Sequence, residues 1–315
     1  MVRNEYWLKM FPTPDEDNFI SILATEFLPS DMEVESVLFV LHGMTEHMQR
    51  YEKFAQNLTS KSIAVIGFDL PGHGASKKAE GNCASFGKGN WMATVDFTDH
   101  FITDLKKKYS CPIYLMGFSL GSFLARDYLN QYSSNIEGAI IMGTGTTSKM
   151  VLNIVKALVN KEANKIGFDE TSKFIKKLSF DTYNKKIKNS KTECDWLCSD
   201  EISLQEYIND PLCVQNISAG LFGDLLSSMN RNGGTSQYKT WNKNIRILII
   251  SGTEDPVGGF TKGVTKVYKK MVNSGIVNIQ FFLLPGRHDV LHEIQNKTAA
   301  IATDKIVKWM ETSSL

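Results

Sequence analysis

The sequence predicts an α/β protein: a mostly parallel central sheet with helices on both faces, interrupted by one inserted helical segment. Three observations carry this. Short apolar runs rich in β-branched residues recur at residues 37–41, 63–68, 113–116, 138–142, 245–250 and 279–284. Such runs suit strands buried on both faces. Segments with helical spacing separate most of them, the alternation of parallel crossover units. The alternation lapses from about residue 146 to 240, where the chain reads as mainly helical.

Taken in order, the chain begins with two strand-like pieces, residues 6–11 and 19–24, split by the turn-forming Pro12-Thr13-Pro14-Asp15. The buried run 37–41 follows, then a helix over 51–59. The run 63–68 ends at the turn Pro71-Gly72-His73-Gly74. A helix over 91–108, the strand 113–116, a helix over 120–132 and the strand 138–142 lead into the insertion. Beyond it stand the strand 245–250, a helix over 263–273, the strand 279–284 and a last helix over 299–310. Residues 1–145 and 241–315 thus form one α/β core domain, and 146–240 a helical cap over its active face.

Composition narrows the function. Across 315 residues the formal charge is only +1, so the basic field needed for nucleic acid is lacking. Charges recur every few residues from the first position, and no apolar stretch approaches 20 residues, so neither a secretory leader nor a membrane span is expected. The five cysteines are odd in number and scattered, which suits a reducing compartment; cytoplasmic residence is expected. Cys194 and Cys198 stand four apart with no second pair at zinc-like spacing. No metal and no cofactor is expected.

The chemistry lies at the strand ends. Gly117-Phe118-Ser119-Leu120-Gly121 falls between a strand and a helix. A serine on such a sharp turn leaves no room for side chains two residues away, which glycine at 117 and 121 solves. The turn raises the hydroxyl above the carboxyl edge of the sheet and aims the first helical N–H groups at a developing oxyanion. A serine needs a base, and the base needs an acid to fix its tautomer. Only His288 and His292 lie beyond Ser119. His288 follows the last strand on a loop, whereas His292 leads into the final helix. The acid is expected after an earlier strand, in Ser251-Gly252-Thr253-Glu254-Asp255-Pro256, with Asp255 preferred and Glu254 its competitor. The oxyanion donors are expected to be the N–H groups of Leu120 and of Met44, the latter in His42-Gly43-Met44-Thr45. His42, His47 and His73 read as loop-bracing residues, and His100 as a helix-surface or packing residue.

These motifs resemble those of the α/β-hydrolases, in the monoacylglycerol lipase and lysophospholipase branch grouped with serine aminopeptidase-like hydrolases. The matching stretches are His42 to His47 with Arg50-Tyr51, Gly72-His73-Gly74-Ala75-Ser76, Gly117 to Gly121, Ser251 to Gly258, and Gly286-Arg287-His288-Asp289-Val290-Leu291. Asp195-Trp196-Leu197, Ser199-Asp200, Tyr207, Asp210-Pro211 and Cys213 are similar to the cap of bacterial lysophospholipase-like members. The resemblance runs from about Glu33 onward. It implies hydrolysis of a carboxylic ester, with Ser119, Asp255 and His288 as triad and Met44 and Leu120 as oxyanion donors. Phe118 stands where many lipases carry histidine, which alters one wall of the site.

The insertion carries eleven lysines against five acidic residues from Thr146 to Glu193, and acids dominate from Cys194 to Arg231. Such a basic cap face suits transient contact with anionic lipid, although a solvated surface explains it too. Ile217, Leu221, Leu225 and Met229 fall at helical spacing beside Phe222 and Leu226, as expected of an acyl pocket or of core packing. Phe118, Leu221, Phe222 and Leu225 are the candidate pocket residues. The leading expectation is an esterase or lipase acting on a small-molecule acyl ester, a monoacylglycerol, lysophospholipid or similar short ester. An amidase or aminopeptidase, and a non-catalytic binder, are the alternatives.

Overall fold

The computed structural model describes residues 1–12, 18–77, 83–178, 180–213 and 216–312. One sheet holds β1 (Val2–Met10), β2 (Ile20–Leu28), β3 (Ser36–Leu41), β4 (Ile63–Phe68), β5 (Ile113–Phe118), β6 (Gly138–Met142), β7 (Arg246–Gly252) and β8 (Ile279–Leu284). Their order is β1-β2-β4-β3-β5-β6-β7-β8. β1 and β2 pair antiparallel, as do β2 and β4; all other pairings are parallel.

Why those runs are strands is visible in their packing. In β3, Val37, Phe39 and Leu41 enter one core cluster, while Leu38 and Val40 enter another on the opposite face. A strand apolar on both faces must be covered twice. The helices are α1 (Glu52–Thr59), α2 (Asn90–Tyr109), α3 (Leu120–Tyr132), α4 (Lys149–Ile166), α5 (Lys173–Leu178), α6 (Asp181–Asn184), α7 (Glu201–Asn209), α8 (Ala219–Arg231), α9 (Lys262–Asn273) and α10 (Thr298–Glu311). Residues of α2, α3 and α9 fill the first cluster and those of α1 and α10 the second. Each fully buried Leu, Val or Phe contributes about 1.5–3 kcal/mol by leaving water.

The first hairpin departs from the sequence reading. β1 and β2 both run longer than residues 6–11 and 19–24, because the exposed start of β1 is held by ladder pairing with β2. Composition gives no apolar signal there. Of the turn between them, residues 13–15 lie outside the described residues.

Helices α4 to α8 lie between β6 and β7 and form a cap-like region. They do not pack as one body. Leu152, Val159, Leu221 and Leu225 join the main core, whereas Ile187, Trp196, Leu197, Leu204, Tyr207 and Cys213 form a separate small cluster. The fully buried Arg126 of α3 ties both ends of the insertion to the core. Its guanidinium donates to Gly145 O at 3.2 Å, and to Asn232 O and Tyr238 Oη at 2.9 and 2.6 Å.

Candidate active site

Ser119 joins β5 to α3 with φ 50° and ψ −116°. A non-glycine residue held there costs on the order of 1–3 kcal/mol, so its surroundings must fix it. They do so through the backbone. Ser119 N donates to Met142 O at 3.0 Å, and Ser122 N donates to Ser119 O at 2.8 Å. A Cβ on Gly121 would stand 1.9 Å from Leu41 O, and one on Gly117 2.2 Å from Gly121 O. Gly121→Ala is therefore expected to lose at least about 3 kcal/mol of stability, read as a lower denaturation midpoint. An unchanged midpoint would show that the turn relaxes freely.

Asp255 and His288 are completely buried on the loops that follow β7 and β8. His288 Nδ1 lies 2.8 Å from Asp255 Oδ1. An ionised carboxylate only accepts, so Nδ1 carries the proton and Nε2 is left as the ring's acceptor. Val257 N donates to the same Oδ1 at 2.8 Å, and Ser251 Oγ to Oδ2 at 3.2 Å. The two loops are joined: Thr253 N donates to Leu284 O at 2.8 Å and Glu254 N to Gly286 O at 2.9 Å. Glu254 itself is exposed, so of the two adjacent carboxylates Asp255 alone meets the imidazole. His288 Nε2 is buried and has no hydrogen-bond partner among the described residues.

His288 lines a cavity of about 60 Å³ which Ser119 also lines. Met44, Leu120, Phe118 and Leu225 border it as well, but Leu221 and Phe222 do not. The last two are a correction to the expected pocket. Leu221, Phe222 and Leu225 all pack into the main core, but Leu225, one turn after Leu221, and Met229, two turns after it, also border the cavity. The His288 ring is held between Phe118, at 4.9 Å between centroids, and Trp196, at 5.1 Å.

Sequence reasoning passed over the residues that close this cavity. Trp196 and Tyr183 cover it, and the chain at Leu197 accepts a 2.7 Å bond from Asp289 N. Arg287 adds bonds to Asp195 O and Cys198 O at 2.6 and 3.1 Å. Glu46 was also missed. Its Oε1 accepts from Gly43 N at 2.6 Å and Tyr51 Oη at 2.8 Å, and Arg50 Nε donates to Oε2 at 3.1 Å. This carboxylate shapes the turn that brings Met44 to the cavity. The quoted motif residues Glu46, Arg50 and Trp196 were the only signal.

The remaining histidines have other places. His42 donates from Nδ1 to Gly43 O at 2.7 Å and accepts at Nε2 from Leu70 N at 2.9 Å. Burial, and then the neighbouring His73, hold its pKa well below the ordinary imidazole range. His73 donates to Pro71 O at 2.9 Å, and burial lowers its pKa to about 4. His100 is exposed on α2.

A depressed imidazole pKa has a definite sign for stability. The unfolded chain takes up the His73 proton near its ordinary pKa of about 6.5, and the folded chain only near 4. Stability is thus full above roughly pH 6.5 and falls by up to about 3 kcal/mol as pH drops toward 4. Urea midpoints measured across that window test it, and a flat profile contradicts it.

A serine raised on such a turn above a parallel sheet, with helices inserted after β6, makes this an α/β-hydrolase of the serine-hydrolase class. The family model described as "Serine aminopeptidase, S33" matches residues 32–295, and the chain belongs to that family. The chain is 27% identical to the phospholipase YtpA of Bacillus subtilis (strain 168) over 133 residues, 42% of this chain and 49% of that protein. The match thus spans about half the length of that relative. A putative monoglyceride lipase of Schizosaccharomyces pombe is 25% identical over 289 residues, 89% of this chain and 68% of its own. Among solved structures, a thermostable carboxyl esterase from Bacillus coagulans in complex with glycerol superposes with a TM-score of 0.87, at 22% identity over 98% of both chains. That likeness is one of fold.

Proposed function

We propose that the protein hydrolyses carboxylic esters through an acyl-Ser119 intermediate. The observation that carries this reading is His288: its Nδ1 is fixed on Asp255, its Nε2 is unpartnered, and the residue lines the same cavity as Ser119. Ser119 Oγ attacks the ester carbonyl carbon as Nε2 takes its proton. The resulting oxyanion is held by the N–H groups of Leu120, first residue of α3, and Met44. Collapse expels the alcohol, which receives the proton back from His288. Water then repeats the sequence on the acyl-enzyme. Asp255 stabilises the imidazolium and fixes its tautomer. The chemistry draws on no cofactor.

Monoacylglycerols, lysophospholipids or similar acyl esters are the substrates this site fits. Phe123, Phe180, Leu225, Met229 and Val257 give the cavity apolar lining for an acyl chain, and Thr45, Glu46 and Tyr207 add polar groups to it. The names of the phospholipase and lipase relatives point the same way. Ligand pockets generally measure about 300–1,000 Å³. A space near 60 Å³ admits such a molecule only when Trp196 and its neighbours move, so residues 146–240 act as a cap on the core of 1–145 and 241–315. On α4, Met150, Ile154 and Leu158 are 71%, 57% and 44% exposed, a stripe suited to transient contact with a lipid surface. No described helix is long and apolar enough to cross a membrane.

Nitrophenyl esters of graded acyl length, assayed beside aminoacyl amides, test the reading. Faster turnover of the esters than of the amides is expected. Faster amide turnover would replace it with an amidase, and failure of a fluorophosphonate to label Ser119 would replace it with a binder.

A further inference from the structure

Outside the cavity, three side chains from two separate parts of the chain meet in an arrangement the hydrolytic reading leaves unused. His47 belongs to the loop after β3, while Asp210 and Cys213 lie on the turn that leaves α7. A ring nitrogen of His47, a carboxylate oxygen of Asp210 and the Cys213 sulfur all lie within 4.8 Å of one another. We propose that this trio binds a zinc-type divalent transition-metal ion that joins the core to the cap.

The donor set selects the class of ion. Imidazole nitrogen, carboxylate oxygen and thiolate sulfur together suit zinc and its neighbours, whereas calcium and magnesium take oxygen ligands alone. Bonds of about 2.0–2.3 Å require ligand atoms somewhat closer than 4.8 Å, which small side-chain rotations supply. His47 Nε2 and Asp210 Oδ2 hydrogen-bond at 2.8 Å and must spread to about 3.3 Å to share an ion in tetrahedral geometry. The His47 side chain is buried, and its Nδ1 has no hydrogen-bond partner among the described residues. Asp210 is oriented from behind, because Leu212 N donates to its Oδ1 at 2.8 Å. Cys213 N closes the turn on Asp210 O at 3.1 Å.

Charge favours the ion as well. Arg50 hydrogen-bonds the Cys213 sulfur, and Glu46 and Asp289 hold its guanidinium at 3.1 and 3.5 Å. With Asp210 added, three carboxylates stand against that cation, and the buried Cys213 thiol, its pKa raised by burial, gives up its proton to the ion on binding. His292, 2.8 Å from Asp289, adds a charge only when protonated. His47 and Asp210 also border a solvent-open cleft of about 440 Å³, which gives an ion its way in and a water the fourth position.

Cobalt(II) added to the metal-stripped protein tests this. A single equivalent should produce the near-ultraviolet charge-transfer band of a cobalt-bound thiolate, displaced by zinc. The band should vanish in both Cys213→Ala and the better size-matched Cys213→Ser. Affinity should fall at least about tenfold in His47→Gln and in Asp210→Asn. Absence of the band in the native protein overturns the proposal, as does its survival in a folded Cys213 variant. Equilibrium dialysis of the native chain against zinc, with no ion retained, overturns it without recourse to any variant.

Discussion

Ser119→Ala is expected to lower ester turnover by about 10⁶-fold while the protein stays folded. The size follows from what the hydroxyl does. Without it no acyl-enzyme forms, and only binding and the oxyanion donors remain to assist water. The fold survives because the turn is fixed through the backbone N and O of residue 119, which alanine retains. Turnover measured beside circular dichroism separates the two effects. Should the folded variant keep most of its activity, Ser119 is not the nucleophile and the acyl-serine pathway fails.

Asp255→Asn is expected to cost about 10⁴-fold in kcat with little change in KM. The asparagine side chain fits the same space, but its amide can donate toward Nδ1 and so favours the wrong imidazole tautomer. Nε2 would then carry a proton and could not accept one from Ser119. Glu254→Gln serves as the control, because Glu254 is exposed and Asp255 makes the 2.8 Å contact. A large loss in Glu254→Gln with a mild one in Asp255→Asn would transfer the acid role to the neighbour.

Much of this was legible without coordinates. The apolar runs at β3 to β8 are local signals, since a strand buried on both faces must be apolar at nearly every position. The turn at Ser119 is local too: Gly117 and Gly121 stand where any Cβ would strike backbone. The exposed edge strand β1 was read short because its pairing with β2, rather than its composition, holds it in place. The pocket was misjudged at Leu221 and Phe222 for a related reason. Helical spacing identifies an apolar face of α8, but that face is shared between core and cavity, and position along the helix axis decides which residue meets which.

The sequence by itself determined the strand–helix alternation, the inserted helices and the chain order of serine, acid and histidine. Each of these is encoded within a few neighbouring residues. Tertiary structure alone decided which of two adjacent carboxylates reaches His288, that Trp196 covers the imidazole, and that His47 meets Asp210 and Cys213. Those outcomes depend on how segments far apart in the chain pack together, and no local periodicity records that.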